Sequence, residues 1–380
     1  MHLELEAKNQ NLQCLRGIAI LLVAVFHFTW RWQDFYPWGK YVSDSWFFVM
    51  TNGVQLFFMI SGWVIYATLI RTGSFFKFVK NRMIRLAVPL FLIAPLLYLF
   101  QKMFPVEPFK EVFPSQILTS ISMINPSYFL FFFDIKTDWI TGVQWTLTYE
   151  ITFYLLSSFV FYKISQKHVF EFMLGMTNFI LIANYLYLYL NNQIGQGYYV
   201  KDVNSPSVEY VIQQSGLLHL SWFVLGMWFF KFSSNRRSKK VLVYLVNLIF
   251  LCAWDISQGR VAFSQPKQTM FAIAMLTLFI IFFFQLKTQF SKRFLRSITQ
   301  IFESLGNVSY EFYLLHEIVG VTLLLSFSKI TFIYLHPEIY PILIFLVLIT
   351  LYAASLAINK LYSEPAQRYL KTKFVNYSSR

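Results

Sequence analysis

Arg16 and His27 lie eleven positions apart in the apolar stretch LQCLRGIAILLVAVFHFTW. On an α-helix that interval is three turns plus about 20°, so both side chains share one face, roughly 16 Å apart along the axis. A histidine in the middle of such a stretch is costly to bury and is suited to proton transfer near neutral pH. Glu150 and His316 interrupt two other apolar runs at similar depth, and Glu317 adjoins His316. A carboxylate of this kind can orient a histidine or take up its charge. The alternative is that the buried His and Glu side chains pair only to hold helices together. Arg82 and Arg85, three residues apart, share a helix face and with Arg16 would form a cationic mouth suited to phosphate groups. Ordinary basic flanking of a membrane span gives the same pattern. Ser61-Gly62, within FFMISGWVIYA, reads either as a slot for a ligand arm or as a point of close helix packing. Asn52 reaches comparable depth in the same span.

The elements that must position these residues are membrane helices. The 380 residues are 57% hydrophobic and 13% charged, about half the usual charged fraction of a soluble domain, with a mean hydropathy of +0.51. Repeated long apolar runs predict an all-α, polytopic membrane protein forming one domain over 1–380. About ten spans are expected, near 12–30, 46–70, 86–102, 142–162, 170–190, 210–230, 241–255, 269–286, 306–328 and 340–362. The stretch 103–141, broken by Pro105, Pro108, Pro114 and Pro126, is expected to be an outer-face or partly re-entrant segment.

The net charge of +14 would suggest nucleic acid in a soluble protein. Here the large majority of Lys and Arg fall in one alternate set of connections. The positive-inside rule then predicts that both termini are cytoplasmic, and no nucleic-acid partner is expected. Cys14 and Cys252 fall near opposite faces, which supports neither a disulfide framework nor a metal site. No internal repeat is visible, which weakens a transporter built from inverted halves.

Six motifs recur in one order along the chain. LRGIAILLVAVFH carries Arg-x10-His at Arg16 and His27. FFMISGWVI has the form FF-x-x-SG, and NRMIRLAVP carries Arg-x-x-Arg and then Pro, at Arg82, Arg85 and Pro89. WTLTYEITFY places Trp145, Glu150 and Tyr154, VSYEFYLLH places Ser309, Tyr310, Tyr313 and His316, and SEP closes the series at Glu364 and Pro365. This ordered set resembles the acyltransferase family 3 membrane proteins, which acylate extracytoplasmic glycans. Gln13 and Cys14 stand where many members carry an aspartate before Leu-Arg-Gly. The chain resembles the stand-alone form, without an SGNH-type domain.

The resemblance implies a multi-pass enzyme of the bacterial cytoplasmic membrane with an acyl-CoA donor, most simply acetyl-CoA, at the cytoplasmic side. It implies Arg16, Arg82 and Arg85 near the donor's phosphates and His27 as the catalytic histidine; the residues themselves add the expectations of Ser61 at the donor, Glu150 as the carboxylate that orients His27 or takes its charge, and His316, Tyr310 and Asn52 in support. Tyr310 and Asn52 are the two candidates for an oxyanion donor, with the choice between them open. The expected acceptor is a hydroxyl of a lipid-linked or surface glycan such as lipopolysaccharide O-antigen or exopolysaccharide. The expected partners are this donor, this acceptor and membrane lipids, with no permanently bound cofactor and no metal. A transporter or flippase for a lipid-linked sugar is the alternative that the same buried charges allow.

Overall fold

The computed structural model describes residues 2–39, 47, 50, 52–190, 215–232, 239–258, 293–330 and 336–376, and among them every regular element is helical. Among the described residues six helices are long and apolar enough to cross a membrane: Gln10–Arg31, Gly53–Arg71, Phe75–Met103, Val169–Tyr187, Ser309–Ser328 and Tyr340–Phe374. The spans expected at 142–162, 210–230 and 241–255 are helical where described, apart from a turn at Ser215 and Gly216. They appear as Trp145–Phe159, as the shorter Leu220–Lys231, and as Lys239–Gln258. The span expected at 269–286 lies outside the described residues.

We number the helices α1 (His2–Phe26), α2 (Gly53–Arg71), α3 (Phe75–Met103), α4 (Ser115–Ser122), α5 (Pro126–Phe133), α6 (Trp145–Phe159), α7 (Val169–Leu190), α8 (Leu220–Lys231), α9 (Lys239–Gln258), α10 (Arg293–Asn307), α11 (Ser309–Leu315), α12 (Val321–Ser328), α13 (Tyr340–Ile358) and α14 (Glu364–Lys371). The third span begins eleven residues before its expected start, because α3 runs unbroken through Arg82, Arg85, Pro89 and Pro95.

Small residues set the helix contacts, as expected where lipid tails give no hydrophobic drive for helices to associate. At Gly17 of α1 a Cβ would collide with the Phe302 carbonyl of α10, and at Gly306 of α10 it would collide with the Gln13 carbonyl. The same reciprocal arrangement joins α2 to α8, Gly62 lying on the Phe223 carbonyl and Gly226 on that of Met59. Gly62 therefore serves close packing. Gly62→Val should lower the thermal midpoint in detergent, by a cost of about 1–3 kcal/mol or more. Gly73→Ala, where a Cβ meets nothing within 4 Å, should leave that midpoint unchanged.

Two features of the backbone build the centre. α1 passes into a π-helical turn at His27–Arg31, and α11 passes into another at His316–Gly320. Each turn starts on a histidine, and π-turns inside helices are frequent at functional sites. At Gly320 the missing side chain leaves room for the fully buried Phe28 ring. The connection from α3 to α6 folds as α4 and α5 and then returns along the bundle. Ser120 of α4 accepts from the Ile140 amide at 2.8 Å and donates to Gln144 at 2.8 Å. These bonds hold Thr141 and Val143 against α11 and its π-turn.

Candidate active site

His27 and His316 face one another where the two π-turns meet. Their ring centroids are 4.9 Å apart with planes at 81°, and His316 Nε2 lies 3.4 Å from His27 Nδ1. Both rings are buried. The Tyr313 carbonyl, 2.7 Å from His316 Nδ1, can only accept, so that nitrogen carries a proton and the neutral ring keeps its lone pair on Nε2. The Val23 carbonyl, 2.9 Å from His27 Nδ1, fixes the proton there in the same way. Nε2 of His27 is then the atom that gains and loses a proton. It stands 3.7 Å from Glu317 Oε1. A proton taken up on Nε2 forms an ion pair with that carboxylate.

Glu317 is itself held. Its Oε2 accepts from Thr141 Oγ1 at 2.9 Å and from the Val143 amide at 3.2 Å. Gly142, between them, lies so near this carboxylate that a Cβ would come within 3.2 Å of Oε2. A histidine whose orientation is set by a carbonyl on one nitrogen and a fixed carboxylate on the other is equipped for general-base chemistry.

A cavity adjoins this centre. Arg16, Arg85, Glu150, Ser61 and Tyr310 line it, with Tyr313 on the side towards His316. The Tyr313 and His316 ring centroids are 5.4 Å apart. Glu150 Oε1 accepts from Ser61 Oγ at 2.7 Å and from the Tyr154 hydroxyl. Arg16 donates to Gln13 Oε1 at 3.2 Å. A pocket carrying two guanidinium groups beside apolar and aromatic walls suits a ligand with an anionic head and a thin apolar arm.

A family model described as an acyltransferase domain, Acyl_transf_3, matches residues 9–360, nearly the whole chain. The chain belongs to acyltransferase family 3. No curated protein and no solved structure matches it. It is a multi-pass membrane acyltransferase.

Within this acyltransferase the expected residues divide into two groups. Arg16, Arg85, Ser61, Glu150 and Tyr310 meet in the cavity, while His27 and His316 meet beyond Tyr313. The structure sets Glu317 3.7 Å from His27, while Glu150, the expected partner, lines the cavity. The two carboxylates reach similar depth, but Glu150 turns towards α2 and is taken by Ser61 and Tyr154. Arg82 also departs from expectation. It is buried, donates to Thr68 Oγ1 at 2.5 Å, and lies over the rings of Phe78 and Tyr154 at 5.6 and 5.7 Å. It braces α3 against α2, and Arg85 one turn on faces the cavity.

The Tyr310 hydroxyl donates to the Leu86 carbonyl at 3.0 Å, which engages the proton an oxyanion would need. Asn52 differs: neither its amide nitrogen nor its oxygen has a hydrogen-bond partner among the described residues, although both atoms are buried. Its neighbour Gly53 packs on Ala19 and Val23, the α1 turn that precedes His27. His219 lies apart from this centre, its Nδ1 2.9 Å from Asp255 Oδ2, which also accepts from Trp222.

Glu317 adjoins His316 in sequence, yet spacing alone does not mark it as a site residue. Successive residues of an α-helix diverge by about 100°, which gives no reason to place both side chains on one partner. The π-turn that starts at His316 was the missing information.

Proposed function

We propose that this protein transfers an acyl group, most simply acetyl, from acyl-CoA to a hydroxyl of a lipid-linked or extracytoplasmic glycan. The observation that carries the reading is the adjacency of a two-arginine cavity to a carboxylate-backed histidine pair. A CoA donor has the matching chemistry, with phosphates at one end and a narrow pantetheine arm ending in the thioester. The basic bias of one set of connections supports entry of the donor from the cytoplasmic side of a bacterial inner membrane.

In this mechanism His27 Nε2 removes the proton of the acceptor hydroxyl as its oxygen attacks the thioester carbonyl. Glu317 offsets the imidazolium charge, and His316 holds the ring through Nδ1. The tetrahedral intermediate collapses with loss of the CoA thiolate, which takes the proton back from Nε2. The Asn52 amide, whose donors meet no partner among the described residues, is the better of the two candidate oxyanion ligands. Glu150 anchors Ser61 and sits among the cavity arginines, where it tunes donor binding.

The test is mass spectrometry of cell-envelope glycans from cells with and without the gene, together with labelled acetyl-CoA supplied to the purified protein. The expected result is one added acetyl group per modified residue, lost on deletion, and consumption of the donor in vitro. Envelope glycans of unchanged mass and a donor left intact would refute the reading.

A further inference from the structure

Tyr313 lies between the cavity and His316, and Phe57 packs against it. Tyr313 of α11 and Phe57 of α2 both line the cavity, and their rings meet edge to face at 6.1 Å between centroids. Beyond Tyr313 stands His316, and beyond it His27. The two halves of this wall are held very differently. Tyr313 is buried and its hydroxyl is tied twice, to the Val143 carbonyl at 2.9 Å and to Thr146 Oγ1 at 2.9 Å. Phe57 is only partly buried and has no polar anchor.

The neighbouring Phe58 makes a useful contrast. It is buried and lies in a stack, 4.6 Å from Phe223, which in turn stacks on Phe153 at 4.4 Å. Both consecutive phenylalanines line the cavity, Phe58 fixed in the aromatic stack and Phe57 only partly buried against the edge of Tyr313.

Resting on the donor reading above, we infer that Phe57 sets the length of the acyl group this enzyme transfers. A donor arm entering past Arg16 and Arg85 brings its thioester up to the Phe57–Tyr313 wall, and the acyl chain must fit in what remains. A two-carbon group fits against the Phe57 edge. A longer chain has to displace the Phe57 ring, since Tyr313 is held by its hydroxyl. Discrimination by an apolar wall is worth about 10–200-fold per methylene-sized misfit, so one ring can account for a preference for short donors.

The experiment compares acetyl-CoA, butyryl-CoA and octanoyl-CoA with the purified full chain, reading free CoA released and the thermal midpoint with each donor. The parent should favour acetyl-CoA. Phe57→Ala should raise the butyryl-to-acetyl ratio of kcat/KM by at least about tenfold, and Phe57→Leu should raise it less. Phe57→Trp should depress acetyl-CoA turnover while free CoA still raises the thermal midpoint. If Phe57→Ala does not fold, the Leu and Trp variants carry the comparison. An unchanged donor order in variants that fold and turn over overturns the inference and leaves the donor reading standing. A parent that neither binds nor cleaves any of the three overturns both.

Discussion

Glu317→Gln should lower turnover by about 10²–10⁴-fold while acyl-CoA binding, read by thermal shift, stays within about twofold of the parent. The amide keeps the shape of the side chain and an oxygen for Thr141 and Val143, so the fold is preserved. The lost feature is the negative charge 3.7 Å from His27 Nε2, and with it the counter-charge for the imidazolium formed during proton transfer. His27→Ala should be at least as severe, because it removes the atom that takes the proton. The comparison that decides the matter is Glu150→Gln. Its carboxylate is bonded to Ser61 and Tyr154, so its loss should appear mainly in KM for the donor. A kcat for Glu150→Gln as low as that of Glu317→Gln would return the catalytic carboxylate to Glu150.

The contrast between those two carboxylates also measures what the sequence can say. Depth is legible, because rise per residue is fixed and span edges follow from hydropathy. Arg16, His27, Glu150 and His316 can therefore be assigned heights along their helices from sequence. Azimuth between helices is not legible. It depends on reciprocal glycine contacts such as Gly17 with Gly306 and Gly62 with Gly226, and on π-turns that re-aim a side chain after the helix has begun. Nothing in the local sequence at His27 or His316 announces a π-turn. The same limit explains Arg82 and Arg85. Their spacing of three correctly puts them on one side of α3, but one side of a helix is wide enough for Arg82 to meet Thr68 while Arg85 meets the cavity. The 103–141 segment was read as an outer-face or re-entrant piece from its prolines. Its role in carrying Thr141 and Val143 to Glu317 depends on long-range bonds, Ser120 with Ile140 and Gln144, that composition does not encode.

Arg85→Ala and Arg16→Ala should each weaken acyl-CoA binding by about 10–100-fold, the loss expected when one charge-assisted contact to a phosphate is removed. Binding by the parent should fall as salt is raised, and the fall should be shallower in either variant, since part of the attraction is then gone. Arg85→Lys should recover part of the affinity, because charge is kept while the planar fork that grips a phosphate through two donors is lost. Arg82→Ala should behave differently. With its guanidinium on Thr68 and over two aromatic rings, its removal should lower the thermal midpoint of the free protein. Donor affinity of the folded fraction should change less than in Arg85→Ala. Isothermal titration with acetyl-CoA at two salt concentrations, beside melting curves without ligand, separates these outcomes. Equal losses of affinity in the Arg82 and Arg85 variants, at unchanged stability, would mean that both arginines reach the donor and that the brace between α3 and α2 has been assigned to the wrong function.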